Sequence, residues 1–291
     1  MIDRAGRSLL LGLIGAGIQA SRTPALHEQE GQARGLRTIY RLIDLERLEL
    51  SAASLPDLLL AAERMGFDGL NITHPCKQAV LPLLHELSPD ADAIGAVNTV
   101  LFRDGKRIGH NTDCWGFTEN FRRGLPGVAV DHVVQLGAGG AGAAVARGAI
   151  QSGVRRLSIF DVESAKAQAL AERLNTQFAE MPATVCVDLA SAMSSADGLI
   201  NTTPIGMVSH PGLPLPAALL RPTLWVAEIV YFPLETALLR TAREIGCPTL
   251  DGGGMAVFQA VEAFRLFSGV TPDAERVRRH FDRMEAAIAE I

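Results

Sequence analysis

Short apolar runs alternate with helical patterns along the first third of the chain. The runs are rich in aliphatic residues, which is typical of buried strands, and apolar residues recur at helical spacing between them. The predicted strands are residues 9–14, 38–43, 69–72 and 96–102, and the predicted helices are residues 24–34, 55–65, 77–84 and 88–94. Ser88 is the expected N-cap of the last helix, and Asp104-Gly105 predicts a hairpin turn. This alternation predicts a largely parallel sheet covered by helices.

A second alternating series begins after Pro126. Its predicted strands are residues 130–136, 157–160, 183–187, 198–201 and 225–229. The last two predicted helices, 255–267 and 272–291, have no strand of their own and are expected to return to the first domain. The pattern therefore predicts an α/β protein with two domains. Residues 1–115, completed by 255–291, form an N-terminal α/β substrate-binding domain, and residues 116–254 form a Rossmann-type dinucleotide-binding domain.

The chain's charge and length narrow the class of partner. Its 291 residues suffice for two ordinary domains, and 48% of them are hydrophobic. A net charge of −5 argues against a nucleic-acid partner, which requires clustered cations. The most basic stretch, residues 276–279, lies on a predicted helix with an apolar stripe, so a solvated helix face is expected there. A small-molecule partner is favoured.

The cysteines and the N-terminal segment bear on localisation. Cys76, Cys114, Cys186 and Cys247 are scattered without metal-ligand spacing, so we expect no disulfide, no metal site and a reducing cytoplasm. Arg4 and Arg7 before the apolar residues 9–18 imitate a signal peptide, but glycines interrupt that run, and a buried strand explains it better. No run reaches transmembrane length, so no membrane partner is expected.

A glycine-rich turn predicts a nucleotide site. The sequence GAGGAG comprises Gly137, Ala138, Gly139, Gly140, Ala141 and Gly142, and it follows a predicted strand and opens a helix. Asp161 ends the next strand, where a carboxylate accepts hydrogen bonds from the ribose of NAD and repels the phosphate of NADP. Lys166 is the only basic residue nearby in sequence. NAD is therefore predicted over NADP, and the alternative is that Asp161 only caps the next helix.

Polar residues at predicted strand ends and helix starts indicate a second site. They are Ser21, Thr23, Thr73, Lys77, Asn98 and the run Asn111-Thr112-Asp113. Each has an ordinary explanation as a cap or a solvated side chain, except that Asn98 lies in an apolar run where an amide needs a partner. Together they predict a pocket for a ligand dense in hydroxyl groups, lined by one ammonium and one carboxylate.

At these residues the chain resembles the shikimate/quinate dehydrogenase family over nearly its whole length. The strings are SRTP at 21–24, NITHPCK at 71–77, GAVNT at 95–99, NTD at 111–113, NTTPIGM at 201–207, YFP at 231–233 and DGGGM at 251–255, followed by Gln259. The SRTP string and Asp161 make it most similar to NAD-using quinate/shikimate dehydrogenases. The resemblance implies oxidation of quinate or shikimate to the 3-dehydro acid.

The resemblance also implies residue roles. Lys77 and Asp113 correspond to the catalytic pair that handles the proton. The implied substrate-binding residues are Ser21, Thr23, Thr73, Asn98, Gln259 and Tyr231, and the implied cofactor-binding residues beyond the glycine-rich turn and Asp161 are Lys166, Thr202, Thr203, Pro204, Gly254 and Met255. Three features depart from the family pattern: Cys76 in place of an aromatic residue, Glu228 in place of an aspartate, and the bare pair Gly253-Gly254.

Two other functions fit the same residues. One is a biosynthetic-type shikimate dehydrogenase or a relative acting on an aminated ring acid. The other is a non-catalytic, NAD-binding regulatory protein, against which the intact Lys77 and Asp113 argue. A monomer and a homodimer are both compatible with the sequence, as are the oxidative and the reductive direction.

Overall fold

The computed structural model describes residues 8–289, which form two compact units. Unit 1 contains the described residues up to Thr112 and those from Val257 onward, and unit 2 is Asp113–Ala256. Arg4, Arg7 and the last two residues of the predicted helix 272–291 lie outside the described part. Within residues 8–289, no helix has the length and apolar character needed to cross a membrane.

Unit 1 is built on a six-stranded sheet in the order β2-β1-β3-β5-β6-β4. The strands are β1 Ser8–Gly15, β2 Arg37–Asp44, β3 Gly69–Ile72, β4 Glu86–Leu87, β5 Thr99–Arg103 and β6 Lys106–His110. β1 pairs in parallel with β2 and β3, and β5 runs antiparallel to β3 and β6. The predicted hairpin turn is confirmed, since Asp104 and Gly105 join β5 to β6 with φ angles of 52° and 71°.

Helices cover this sheet, and the C-terminal helices belong to it as predicted. They are α1 Thr23–Ala33, α2 Leu55–Arg64, α3 Cys76–Ala79, α4 Pro89–Ile94, the part of α10 (Gly252–Ser268) from Val257 onward, and α11 Ala274–Ala289. Phe264 and Phe267 of α10 pack in one buried cluster with Leu9 and Leu11 of β1. Burying these apolar side chains gives α10 the core contact that its own sequence segment lacks.

An ion pair ties α11 to α1, and Arg276 departs here from the sequence interpretation, whereas Arg279 is exposed as expected. Residues 276–279 were expected on a solvated face, but Arg276 donates to the buried carboxylate of Glu30 from Nε at 2.8 Å and from Nη2 at 2.7 Å. Arg34 Nε donates to the same carboxylate at 3.0 Å. The partner of Arg276 is distant in sequence, so helical periodicity gave no sign of it.

Local chemistry explains two further differences from prediction in unit 1. α3 ends at Ala79 instead of continuing to residue 84, and a short 3-10 turn over Leu81–Leu83 follows, because Pro82 has no N–H to donate. β5 begins at Thr99 and not at residue 96. The N–H of Val97 instead bonds the carbonyl of Lys77, at 2.8 Å. Ser88 caps α4 as predicted, accepting the N–H of Ala91.

Unit 2 contains a parallel sheet in the order β12-β11-β10-β7-β8-β9. The strands are β7 His132–Leu136, β8 Arg156–Phe160, β9 Ala183–Val185, β10 Gly198–Asn201, β11 Trp225–Glu228 and β12 Thr249–Leu250. The helices are α5 Asp113–Gly124, α6 Gly140–Gln151, α7 Ser164–Asn175, α8 Leu189–Ser195, α9 Ala237–Ile245 and the start of α10. The strand order reverses between β7 and β10, which is where open α/β sheets bind ligands.

Candidate active site

Two glycines of the predicted nucleotide turn are required by the packing of the chain itself. Gly137 follows β7 with φ +96°, and a Cβ there would lie 2.7 Å from Oγ1 of Thr202. A Cβ on Gly142 would lie 2.6 Å from the carbonyl oxygen of Gly137. Both positions therefore exclude any side chain, and the turn passes directly from β7 into α6.

Gly139 is different, because nothing in the described part of the chain requires a glycine there. Its φ of −75° and ψ of −171° are accessible to any residue, and no atom of residues 8–289 lies within 4 Å of the position that a Cβ would take. Gly139 is the N-cap of α6 and is exposed. An unobstructed backbone at a helix N-terminus, where N–H groups point outward, fits the approach of a pyrophosphate. The turn therefore fits a dinucleotide.

Asp161 lies directly after β8 and is held against this turn. Its Oδ2 accepts the N–H of Ala138 at 2.8 Å, and its Oδ1 accepts the N–H of Glu163 at 2.9 Å. The N-cap of α7 is Glu163, so Asp161 does not act as the cap. Lys166 forms an ion pair with Glu163 at 2.5 Å, and its positive charge already has a carboxylate partner.

The segment after β10 contains the predicted residues Thr202, Thr203 and Pro204. Thr202 Oγ1 donates to the carbonyl of Leu136 at 2.7 Å and lies 3.0 Å from the carbonyl of Gly137, which joins this segment to the glycine-rich turn. Thr203 Oγ1 donates to Oδ1 of Asn201 at 2.7 Å. Pro204 is exposed.

A buried carboxyl group supports the same segment, and sequence reasoning missed this role. Glu228 ends β11, is 2% exposed, and accepts bonds from Nδ2 of Asn201 at 3.0 Å and from Oγ1 of Thr236 at 3.2 Å. Burial raises the pKa of Glu228 to about 7, against the lowering effect of these hydrogen bonds and of the backbone N–H groups of Val230 and Ile229. Glu228 had been noted only as a departure from the family pattern.

Gly254, the second glycine of the bare pair before Met255, has a packing explanation. A Cβ on Gly254 would lie 1.8 Å from Oδ1 of Asn120, whose Nδ2 donates to the carbonyl of Asp251 at 3.0 Å. Met255 is buried, and Tyr231 is exposed in the loop after β11. Gly254 therefore allows α5 and the start of α10 to approach closely.

In unit 1, backbone hydrogen bonds gather three predicted residues at the carboxyl end of β3. The N–H of Thr73 donates to the carbonyl of Ile14, and the N–H of Ile72 to the carbonyl of Asn98. Residue 97, next to Asn98, donates to the carbonyl of Lys77. Thr73 and Lys77 are half-buried and Asn98 is buried. Thr73, Lys77 and Asn98 thus belong to one sheet edge.

The loop after β1 holds the hydroxyls of Ser21 and Thr23. Thr23 is the first residue of α1, and its N–H donates to Oγ of Ser21 at 3.3 Å. Asp44 at the end of β2 fixes the loop by accepting the N–H groups of Gly17 and Ile18. Burial raises the pKa of Asp44, but hydrogen bonds from the side chain of Gln19 and from three backbone N–H groups outweigh it and hold the pKa below its ordinary value.

Three other predicted features take the following positions. Asp113 is the buried first residue of α5 and belongs to unit 2. Gln259 is half-buried on the part of α10 that belongs to unit 1. Cys76 is fully buried in the aliphatic cluster that includes Ile72 and Val80, so its departure from the family pattern alters core packing.

Comparison with known proteins places the chain in a family. A model of the shikimate dehydrogenase substrate binding domain matches residues 13–100, and a model of the shikimate 5'-dehydrogenase C-terminal domain matches residues 252–280. The chain is 56% identical over 272 residues to a shikimate dehydrogenase (NADP(+)) from Streptomyces avermitilis, across 93% of this chain and 94% of that one. The chain belongs to the shikimate/quinate dehydrogenase family. The resemblance inferred from the motifs and the predicted fold class are confirmed.

Relatives within the shikimate/quinate dehydrogenase family are named for different cofactors. The chain is 50% identical to a quinate/shikimate dehydrogenase (NAD(+)) from Corynebacterium efficiens, over 94% of this chain and 98% of that one. The solved structure of quinate dehydrogenase from Corynebacterium glutamicum in complex with NAD matches this chain with a TM-score of 0.88 and 48% identity, covering 95% of this chain and 99% of that one. Because the family includes both cofactor types, the residues that hold the ribose must decide the cofactor of this chain.

Proposed function

We propose that this chain is an NAD-dependent dehydrogenase that oxidises a ring hydroxyl of quinate or shikimate to the 3-dehydro acid. The observation that carries the choice of cofactor is the carboxylate of Asp161, which Ala138 and Glu163 hold beside the glycine-rich turn. The names of relatives at 50% identity and the structural similarity to an NAD-bound quinate dehydrogenase support the same choice.

Residues of unit 2 bind the dinucleotide in this proposal. The glycine-rich turn Gly137–Gly142 binds the pyrophosphate, and Asp161 accepts the ribose hydroxyls. A phosphate on that ribose would meet a carboxylate whose nearest lysine in sequence, Lys166, is paired with Glu163. The remaining contacts are assigned to Lys166, Thr202, Thr203, Pro204, Gly254 and Met255. Bound NAD supplies the acceptor for the hydride.

The proton is handled by Lys77 and Asp113. The chain has three lysines, and Lys106 and Lys166 are exposed and paired with glutamates, whereas Lys77 is half-buried at the edge where Thr73 and Asn98 lie. Oxidation of a secondary alcohol releases a proton, which the amine of Lys77 takes from the reacting hydroxyl. Asp113, the buried first residue of α5, is assigned the role of orienting the groups that handle this proton.

The ring acid is bound by hydroxyl and amide side chains. Ser21, Thr23, Thr73, Asn98, Gln259 and Tyr231 are assigned to its carboxylate and ring hydroxyls. A second candidate function, NADP-dependent reduction in the manner of a biosynthetic shikimate dehydrogenase, is favoured by the name of the 56% identical relative. The two functions differ in cofactor and substrate preference.

A substrate panel tests these functions. Steady-state rates are measured with quinate, shikimate and their dehydro products, each with NAD(H) and NADP(H). We expect the highest kcat/KM for quinate or shikimate with NAD. A preference for NADP would establish the second candidate. Absence of turnover throughout, combined with NAD binding measured by calorimetry, would instead establish a non-catalytic nucleotide-binding protein.

We also propose a cellular compartment and an oligomeric state for the protein. The scattered cysteines support a reducing compartment such as the cytoplasm. The protein is expected to act as a monomer or a homodimer, which light scattering after size exclusion distinguishes.

A further inference from the structure

Five buried polar side chains of unit 1 form one continuous chain of hydrogen bonds. They are Tyr40, Asn71, Thr99, Asn98 and Thr112, and none is more than 6% exposed. The register of β3 against β5 places Asn71 directly opposite Thr99, so their side chains share one face of the sheet. Buried polar groups require partners, and here each partner restricts the next.

The orientation of the Asn98 side-chain amide is fixed by a backbone N–H, a group that can donate a hydrogen bond but cannot accept one. The backbone N–H of Thr112 lies 2.9 Å from Oδ1 of Asn98, and a backbone N–H can only donate. Oγ1 of Thr99 also donates to this oxygen at 2.9 Å. Nδ2 of Asn98 donates to Oγ1 of Thr112 at 2.9 Å. Because Oδ1 accepts from Thr112 and Thr99 and Nδ2 can only donate, Asn98 meets a ligand as a hydrogen-bond donor.

Thr99 is the link that gives this chain its direction. Its Oγ1 accepts a hydrogen bond from Nδ2 of Asn71 at 3.0 Å. Because an amide nitrogen only donates, the single hydroxyl hydrogen of Thr99 must point to Oδ1 of Asn98. Thr99 is completely buried, so no solvent competes for that hydrogen.

Tyr40 forms the far end of the chain. Nδ2 of Asn71 also donates to the carbonyl of Asn98, at 3.2 Å, which uses both of its hydrogens and turns Oδ1 toward Tyr40. The hydroxyl of Tyr40 donates to that oxygen at 2.7 Å. Every link from Tyr40 to Asn98 therefore has only one arrangement of donors and acceptors.

We propose that Tyr40 and Thr99 are positioning residues for substrate binding, which fix Asn98 as a hydrogen-bond donor to a ring hydroxyl oxygen. The proposal rests on the proposed function, since it takes the ligand of Asn98 to be a hydroxylated ring acid. The proposal also fixes the direction of this hydrogen bond. The ring hydroxyl accepts from Asn98, so it must donate its own hydrogen to another acceptor. Rotating the amide by 180° would set donors against the N–H of Thr112 and the hydroxyl of Thr99.

Two substitutions at one position separate the hydroxyl of Thr99 from its bulk. Thr99→Val keeps the branched shape and removes the hydroxyl, while Thr99→Ser keeps the hydroxyl and removes the methyl group. We expect Thr99→Val to raise KM for the ring acid about tenfold, with kcat and KM for NAD each within about twofold, as for an interaction equally strong in ground and transition states. Thr99→Ser should stay within about twofold of wild type in every parameter.

Tyr40→Phe provides a second test, with a matched control in the same strand. It should raise KM for the ring acid about threefold, less than Thr99→Val, because its hydroxyl acts through two further links. Thr38→Val, also in β2, removes a hydroxyl whose one hydrogen bond within residues 8–289 is to the carbonyl of Leu36 at 3.4 Å, and all kinetic parameters should stay unchanged. If Tyr40→Phe matches Thr38→Val, Tyr40 has no positioning role.

Ring acids that each lack one hydroxyl locate the contact. For the acid without the hydroxyl that Asn98 binds, Thr99→Val should cause no further rise in KM, whereas the other acids should show the full effect. Equal losses with every acid, or equal effects of Thr99→Val and Thr99→Ser, would mean that Thr99 only packs, and would overturn the proposal.

A readout on the protein without substrate separates this proposal from the proposed function. In nitrogen-15 spectra of asparagine-labelled protein, the side-chain N–H resonances of Asn98 should exchange slowly with water in wild type and in Thr99→Ser, and much faster in Thr99→Val. Equal exchange rates in all three would overturn the positioning role, whatever the enzyme oxidises. Inactivity of wild type on the substrate panel, with the expected difference in exchange, would contradict the proposed function alone.

Discussion

The imidazole of His27 packs against the phenol ring of Tyr40, with the ring centroids 5.1 Å apart and the planes inclined by 32°. The rings of Phe264 and Phe267 also lie near the imidazole, with centroid distances of 6.0 Å and 5.8 Å. His27 is buried, and neither ring nitrogen has a hydrogen-bond partner among the described residues. Burial lowers the pKa of His27 to about 3, so the ring is neutral in the folded protein at neutral pH.

His27→Leu is expected to remove a source of acid sensitivity. Because the pKa of His27 is lower in the folded than in the unfolded protein, only the unfolded chain takes up the proton as pH falls below about 6.5. The free energy of unfolding of wild type should therefore fall by ~2 kcal/mol between pH 7.5 and pH 5 through this residue. Urea denaturation at both pH values should show that loss reduced by the same amount in His27→Leu. An unchanged loss would mean that His27 has a partner in solution.

Glu228→Gln tests a carboxyl group for which the free energy of unfolding depends on pH in the opposite direction. The pKa of Glu228 is raised from 4.5 to about 7, so between these values the unfolded chain is ionised and the folded chain is not. The folded state then binds more protons, and stability falls as pH rises, by about 3 kcal/mol across this window. Glutamine does not ionise, so the stability of Glu228→Gln relative to wild type should increase between pH 5 and pH 7.5 in urea titrations. A constant difference would show that Glu228 is ionised throughout.

The sequence predicted the strands of the fold better than the hydrogen bonds that hold the site residues in place. Buried parallel strands are continuous apolar runs, so β1, β7 and β10 were visible in the sequence, but β6 contains Lys106, Arg107 and His110 and gave no such signal. Gly137 and Asp161 were found because their spacing is local. The chain through Asn71 and Thr99 depends on the register of β3 against β5, which no local pattern encodes.

Gly139→Ala should separate cofactor binding from stability. A Cβ at Gly139 meets no atom of residues 8–289 and needs no unusual φ, so the free energy of unfolding of the unliganded protein should fall by no more than ~1 kcal/mol, the cost of alanine at an N-cap. The affinity for NAD measured by calorimetry should fall at least about tenfold, because the methyl group occupies the path of the pyrophosphate. Gly137→Ala is the matched contrast, and its strained φ and contact with Thr202 should destabilise the protein by at least ~2 kcal/mol. Unchanged NAD affinity in Gly139→Ala would place the dinucleotide elsewhere.

Asp161→Asn is expected to weaken the preference for NAD over NADP. Asparagine retains an oxygen for the N–H of Ala138 but removes the charge, and like charges about 4 Å apart cost several kcal/mol near a protein surface. The ratio of kcat/KM for NAD to that for NADP should fall at least about tenfold. Asp131→Asn, before β7 at the other end of the strands, removes an exposed carboxylate paired with Arg155 and should leave the ratio unchanged. Equal ratios in wild type and Asp161→Asn would remove Asp161 from cofactor selection.

Lys77→Ala tests the proposed acid–base chemistry. Without the amine, the proton of the reacting hydroxyl has no positioned acceptor, and kcat should fall by a factor of about 10² to 10⁴, while NAD affinity measured by calorimetry stays within about twofold. Lys106→Ala is the matched control, since it removes an exposed lysine of unit 1 that pairs with Glu86, and its turnover should equal that of wild type. The two outcomes separate loss of a catalytic group from loss of a positive charge. Turnover of Lys77→Ala within about threefold of wild type would assign the proton transfer to a group other than Lys77.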